Sequence, residues 1–163
     1  MPRITPFLWF DDQAEEAAEF YVSVFPNSRI LGVSRYGESG PGRAGSVMTV
    51  NFELDGLAFT ALNGGPAHYG FDESVSFVVD CATAEDVDRY WDALTDGGEA
   101  IACGWLKDRY GLRWQIVPSE LPSLLLDPDP DRVNRAMQAM LGMTKLDIAA
   151  MKAAADGTAI PTG

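Results

Sequence analysis

Residues 46–62, SVMTVNFELDGLAFTAL, carry the strongest structural signal in the chain. Two β-prone runs, Ser46 to Leu54 and Leu57 to Leu62, flank Asp55-Gly56, and an Asp-Gly pair between such runs marks a two-residue hairpin turn. Upstream, Gly37 to Gly45 is a glycine-rich loop and Ile30 to Tyr36 a further strand. Ahead of that strand, Ala14, Ala17, Ala18, Tyr21 and Phe25 form the apolar stripe of a helix that Pro26-Asn27-Ser28 stops. Asp12 and Glu15 stand at capping-box spacing at its start. Before the helix, Ile4-Thr5-Pro6-Phe7-Leu8-Trp9-Phe10 is aromatic and apolar, which suits a strand.

Downstream of the hairpin the same order begins again. Ser74 to Cys81 alternates Val75, Phe77 and Val79 against Ser74, Ser76 and Val78, as a half-buried strand does. Thr83 and Asp86 open a helix with Val87, Tyr90, Trp91 and Leu94 along one face, and Gly97-Gly98 ends it. Short strands near Ala100 to Trp105 and Leu112 to Val117 flank a turn at Asp108-Arg109-Tyr110-Gly111. Strand, helix and further strands thus occur twice, over about 4–64 and 74–118, faint in identity but clear in pattern. This repeat gives an α+β class.

Past Pro118 the chain reads as a helical extension of the same domain, 119–156. Asp129-Pro130 suits an N-cap followed by proline at the first helical position. Val133, Met137, Met140 and Leu141 stripe one helix to Gly142, and Thr144-Lys145-Leu146-Asp147 opens another to about Ala155. Packing on the parent domain is the ordinary use of such methionines; a partner-binding face is the alternative. Residues 157–163 are expected to form a disordered tail.

Composition narrows the function classes. The 163 residues, 47% hydrophobic, supply an ordinary core without staples. The net charge of −12, from 24 acidic and 12 basic side chains, repels phosphate backbones and anionic membranes, so no nucleic-acid or membrane partner is expected. No apolar run approaches the roughly 20 residues of a spanning helix, and the N-terminus lacks the apolar stretch of a signal peptide. Cys81 and Cys103 are therefore expected to be reduced thiols in a cytoplasmic protein, a disulfide being the alternative. Arg35, Arg43, Arg109 and Arg113 are candidates for a local basic pocket.

Taken in order, ITPFLWFDDQAEEAAEFY, YGESGPG, FTALNGGP, SFVVDC, CGWLKDRYGLRWQIVP and DPDP resemble the PhnB-like branch of the vicinal-oxygen-chelate superfamily, from about Ile4 through Leu146. The resemblance implies paired βαβββ modules whose sheets curl into a cup, and it implies a homodimer. Many relatives carry a demethylubiquinone methyltransferase label; that activity is not carried over, since no Gly-x-Gly-x-x-Gly turn leads into a helix here. The superfamily's metalloenzymes hold a divalent ion with four inward side chains, and those positions fall on Thr5, Ala61, Ser74 and Gln115. Only Gln115 offers a good donor, so neither the shared metal site nor any cofactor is expected. The single histidine, His68, sits in a loop, and Glu53, Asp55, Asp72 and Glu73 read as solvated acids.

Strand alternation assigns the faces. Phe7 and Trp9 share a face with Thr5; Phe59, Ala61 and Asn63 are matched to it on the fourth strand, Ser74, Ser76 and Val78 on the fifth, Arg113, Gln115 and Val117 on the last. The opposite parity, with Leu8, Phe10, Val75, Phe77, Val79, Trp114 and Ile116, suits packing under helices. A small, partly aromatic or hydrophobic molecule is then expected on Phe7, Trp9, Phe59, Asn63, Ser76, Tyr110, Arg113 and Gln115. The competing assignment makes the aromatics a filled core. An enzyme remains the first functional alternative: a metal-dependent lyase, isomerase or dioxygenase, or a metal-free one using Arg113, Gln115 and Tyr110. A regulatory or interaction protein acting through the C-terminal helices is the second. No triad, dyad or activated nucleophile emerges, and both cysteines read as inert thiols.

Overall fold

The computed structural model describes residues 1–158; residues 159–163, most of the expected tail, lie outside them. The chain divides into two compact units, Met1–Gly70 and Phe71–Gly163. Each contains a four-stranded mixed sheet that does not close on itself.

The first unit runs β1 (Phe7–Phe10), α1 (Ala14–Val24), β2 (Arg29–Arg35), β3 (Val47–Leu54) and β4 (Leu57–Asn63). Its sheet order is β1-β4-β3-β2, with β1 parallel to β4 and the other pairs antiparallel. The hairpin closes at Asp55 and Gly56 with φ of 44° and 83°, both left-handed as a tight primed turn requires. On the α1 side, Leu8, Phe10, Val50, Phe52, Phe59 and Ala61 are buried with Ala14, Ala17, Ala18 and Tyr21. Phe52 stacks between Tyr21 and Phe59, with ring centroids 6.3 and 5.3 Å away. The expected capping box does not form: Gln13 is the N-cap and offers no side-chain bond. The Ala14 N–H donates instead to Asn63 Oδ1 at 2.7 Å, so a distant strand satisfies the helix start.

The second unit repeats the order: β5 (Ser76–Cys81), α2 (Ala84–Thr95), β6 (Glu99–Ala100), β7 (Trp105–Lys107) and β8 (Arg113–Pro118). Its sheet order β5-β8-β7-β6 is the permutation seen in the first unit, again with the first strand parallel to the last. Thr83 caps α2, its Oγ1 accepting from the Asp86 N–H at 3.1 Å. Val75, expected under a helix, precedes β5 and is exposed. At Gly98 a Cβ would come within 2.2 Å of the Lys107 carbonyl, so only glycine lets α2 end against β7.

Three helices follow: α3 (Leu121–Leu125), which the sequence pattern did not signal, α4 (Pro130–Leu141) and α5 (Ile148–Ala155). Asp129 caps α4 and Asp147 caps α5, accepting from the N–H groups of Asp131 and Ala150. Leu121, Leu124, Ala136, Leu146, Met151 and Ala155 bury together, with Val117, Met140 and Met143 packed against them. Each larger apolar side chain in that cluster contributes roughly 1.5–3 kcal/mol. Among the described residues no helix is long and apolar enough to cross a membrane.

Candidate functional site

On the first sheet, the face turned from α1 carries Phe7 and Trp9. Their partners across β4 are Thr60 and Leu62. Phe7 is 60% exposed and Trp9 49%, whereas Leu8 and Phe10 between and beside them are buried. Trp9 is nonetheless fixed. Its indole N–H donates to the Gly65 carbonyl at 2.9 Å, and its ring lies on Gly64, where a Cβ would stand 2.2 Å from the ring.

Phe59 and Asn63 lie on the other face, which corrects the matching of strands drawn from alternation. The parallel pairing sets Leu8 beside Ala61 and Phe10 beside Asn63. Alternation fixes the faces within a strand but not the offset between two strands, and a one-residue slip exchanges the faces. Phe59 is accordingly 3% exposed and part of the core. Asn63 is fully engaged there: besides capping α1, its Nδ2 donates to the Val47 carbonyl at 3.2 Å, and its own carbonyl accepts from the Tyr36 hydroxyl at 2.5 Å.

On the second sheet the register sets Ser76, Val78, Arg113 and Gln115 on one face, as alternation matched them, whereas Val117 packs against the C-terminal cluster and Ser74 precedes β5. Ser76 pairs with Arg113 and Val78 with Gln115, and Gln115 Nε2 donates to Ser76 Oγ at 2.9 Å. Across β7, Trp105 pairs with Gln115 and Lys107 with Arg113. Arg113 reaches back to Glu73, with 2.9 Å from Nη2 to Oε1. That bond is the main reason the Glu73 carboxyl is held below its ordinary range. Tyr110 is half-buried in the β7–β8 turn.

That turn is organised by Asp108, which sequence reading passed over. It is 2% exposed. Its Oδ1 accepts from the backbone N–H groups of Tyr110 and Leu112 at 2.9 and 3.0 Å, and its Oδ2 from the Trp114 indole N–H at 2.8 Å. The available signal was an aspartate opening a turn closed by Gly111. Two of the other arginines weighed for a basic pocket have local duties: Arg109 pairs with Asp96 at 3.0 Å, and Arg35 donates to the Gly45 carbonyl.

The four residues that the resemblance matched to the superfamily's metal positions do not make a set that fits an ion. Thr5 precedes β1, Ala61 faces the core, Ser74 is bonded to the Asp72 carboxylate, and Gln115 is bonded to Ser76. That set offers no imidazole or carboxylate. Among the described residues no group of three or more His, Cys, Asp or Glu could hold a metal ion. Cys81 and Cys103 are both free thiols. Burial first, then Asp86 and Asp80, push the Cys81 thiol up to about 11, far from nucleophilic use near neutral pH. Two clefts lie away from these faces: one of about 410 Å³ between Cys81, Val87 and Leu146, and one of about 350 Å³ beside Tyr36 and Glu15. The first is lined by none of the residues expected to meet a ligand, and the second by Asn63 alone among them.

A family model described as 3-demethylubiquinone-9 3-methyltransferase matches residues 2–117. Among solved structures, the PhnB protein from Bacillus cereus is 35% identical over 72% of this chain and 99% of its own, with a TM-score of 0.66. A Pseudomonas aeruginosa protein at 19% identity covers 72% of this chain and 98% of its own, with a TM-score of 0.61. The fosfomycin resistance protein FosX from Mesorhizobium loti, 13% identical, covers 71% and 89%, with a TM-score of 0.51. The last two share the fold alone. No curated protein matches.

Proposed function

The chain belongs to the PhnB-like family of the vicinal-oxygen-chelate superfamily, and on that premise we propose that it binds a small, partly aromatic or hydrophobic molecule on a sheet face turned from its helix, the candidates being the face turned from α1 in the first unit and the face turned from α2 in the second. The observation that carries this is the exposure of Phe7 and Trp9 on a strand whose other two side chains are buried. An aromatic pair filling a core would be covered; this pair presents ring surface while the Gly65 carbonyl and Gly64 hold the indole still. The Ser76–Gln115 pair, with Arg113 and Tyr110, offers hydrogen bonds on the second sheet. Phe59 and Asn63 support the first sheet from behind and are not assigned a ligand.

Methyl transfer, which the family description names, is not assigned. Neither sheet has the doubly wound order of a nucleoside-binding unit, and no Gly-x-Gly-x-x-Gly turn opens a helix. A metal-free binding protein is the form of the proposal, in the cytoplasm and as a homodimer, the location being consistent with two unpaired cysteines and the pairing resting on the family resemblance. Sedimentation at micromolar concentration tests the pairing, and a monomer there removes it.

Tryptophan fluorescence titrations with benzyl alcohol test the binding. Trp9→Ala should weaken binding at least fivefold, while Trp9→Phe, which restores ring surface, should recover most of it. Equal affinity in wild type and Trp9→Ala, with both folded, would show that the exposed indole has no part in binding.

A further inference from the structure

On the second sheet two cations stand directly opposite each other, Lys107 on β7 and Arg113 on β8, on the face that also carries Gln115, Ser76 and Trp105. Like charges at paired positions repel, and this chain has twice as many acids as bases. A glutamate from a neighbouring segment covers each. Lys107 Nζ lies 2.6 Å from Glu99 Oε2, and Arg113 meets Glu73.

The Arg113 guanidinium is set in place by backbone: Nη1 donates to the carbonyls of Phe71 and Gly111. Its side chain is only 12% exposed, whereas Glu73 is 64% exposed. Glu73 engages the Nε–Nη2 edge through Oε1 alone, at 3.3 and 2.9 Å. A carboxylate that satisfies this edge fully uses both oxygens in two parallel bonds. The fork is rigid and its present partner is loosely fitted and solvated, so the partner can be exchanged. The field of Arg113 also reaches Glu99, adding to the larger effect of Lys107 in holding that carboxyl low.

We propose that Arg113 and Lys107 form an anion subsite that Glu73 and Glu99 occupy in the free protein, and that the ligand carries a carboxylate or phosphonate group. The incoming group displaces Glu73 from the Nε–Nη2 edge, with the Ser76–Gln115 pair alongside. The inference rests on the assignment of this sheet face to ligand binding and adds the chemical class of what binds.

Calorimetric titrations with benzoate, phenylphosphonate and uncharged benzyl alcohol separate the two claims. The acids should bind about tenfold more tightly than the alcohol, and Arg113→Met should erase that advantage. Glu73→Gln, which removes the competitor without touching the cations, should tighten benzoate about two- to fivefold and leave benzyl alcohol unchanged, in line with the modest strength of an exposed ion pair. Lys107→Met and Glu73→Gln keep the test valid if Arg113→Met fails to fold. Benzyl alcohol bound as tightly as benzoate, or benzoate unchanged in Glu73→Gln, overturns the anion subsite and leaves sheet-face binding standing. Binding of none of the three removes both.

Discussion

Replacing Asp108 by alanine tests how the second sheet keeps its side chains in place. Among the donors to this carboxylate, the Leu112 N–H and the Trp114 indole are buried while the Tyr110 N–H is only partly so. Each buried donor left without an acceptor costs about 1–3 kcal/mol, and the Tyr110 group can turn to water. The expected loss is therefore about 2–6 kcal/mol, a large share of the 5–15 kcal/mol typical of a domain. Asp108→Asn is a subtler case. Its single oxygen can serve the two backbone groups, but its amide then points N–H groups at the indole N–H, so about half the loss is expected. Urea unfolding followed by circular dichroism reads this as a midpoint lowered by about 1–2 M at unchanged slope for alanine, and by less for asparagine. Since β8 carries Arg113 and Gln115 directly after this turn, affinity for benzoate should fall in the asparagine variant while it is still folded. If Asp108→Ala lies within 0.5 kcal/mol of wild type, these hydrogen bonds do not organise the turn as described.

Other outcomes follow from the same geometry. Trp9→Ala should cost only about 1–2 kcal/mol, below the ~3–5 kcal/mol of a fully buried indole; a larger loss in the same urea melt would restore Trp9 to the core. Gly64→Ala should displace the indole that lies on it and weaken benzyl alcohol binding more than it lowers stability, and an unchanged Trp9 indole N–H resonance would refute this. Cys81, held neutral up to about 11, should resist Ellman's reagent at pH 8 in the folded protein while the half-buried Cys103 reacts first; equal rates would contradict it. Its folded pKa is raised, so its contribution to stability is full below about 9 and is lost as pH rises through about 11. Asp72, Glu73 and Asp127 are shifted the other way, chiefly by hydrogen bonds from Ser74, Arg113 and the Asp129 N–H. Their stabilisation is present above the ordinary carboxylate range and is lost as pH falls through their lowered values, so the urea midpoint should drop on acidification below about pH 4. Glu73→Gln should reduce that drop.

Much of the fold was legible in the sequence because its signals are local. Asp55-Gly56 set the hairpin, Thr83 and Asp129-Pro130 set helix starts, and alternation set which side of β5 and β8 meets α2. What was not legible depends on contacts between distant segments. The offset between β1 and β4 is settled by packing beneath α1, so Phe59 and Asn63 were matched to the wrong face. The start of α1 is completed by Asn63 from across the sheet, which no local capping rule contains. Asp108 looked like an ordinary turn residue because the indole it serves is six positions away and on a strand. Ser76 and Gln115 were matched to one face because the second sheet follows the simple offset between β5 and β8.

Chemical-shift mapping of the nitrogen-15-labelled protein during titration with benzyl alcohol probes the sheet-face proposal itself. The largest changes should fall on the Trp9 indole N–H and on the amides of Phe7, Thr60 and Leu62. Changes confined to the clefts around Cys81 or Tyr36, with the Trp9 indole unmoved at saturation, would place the ligand elsewhere and contradict the account.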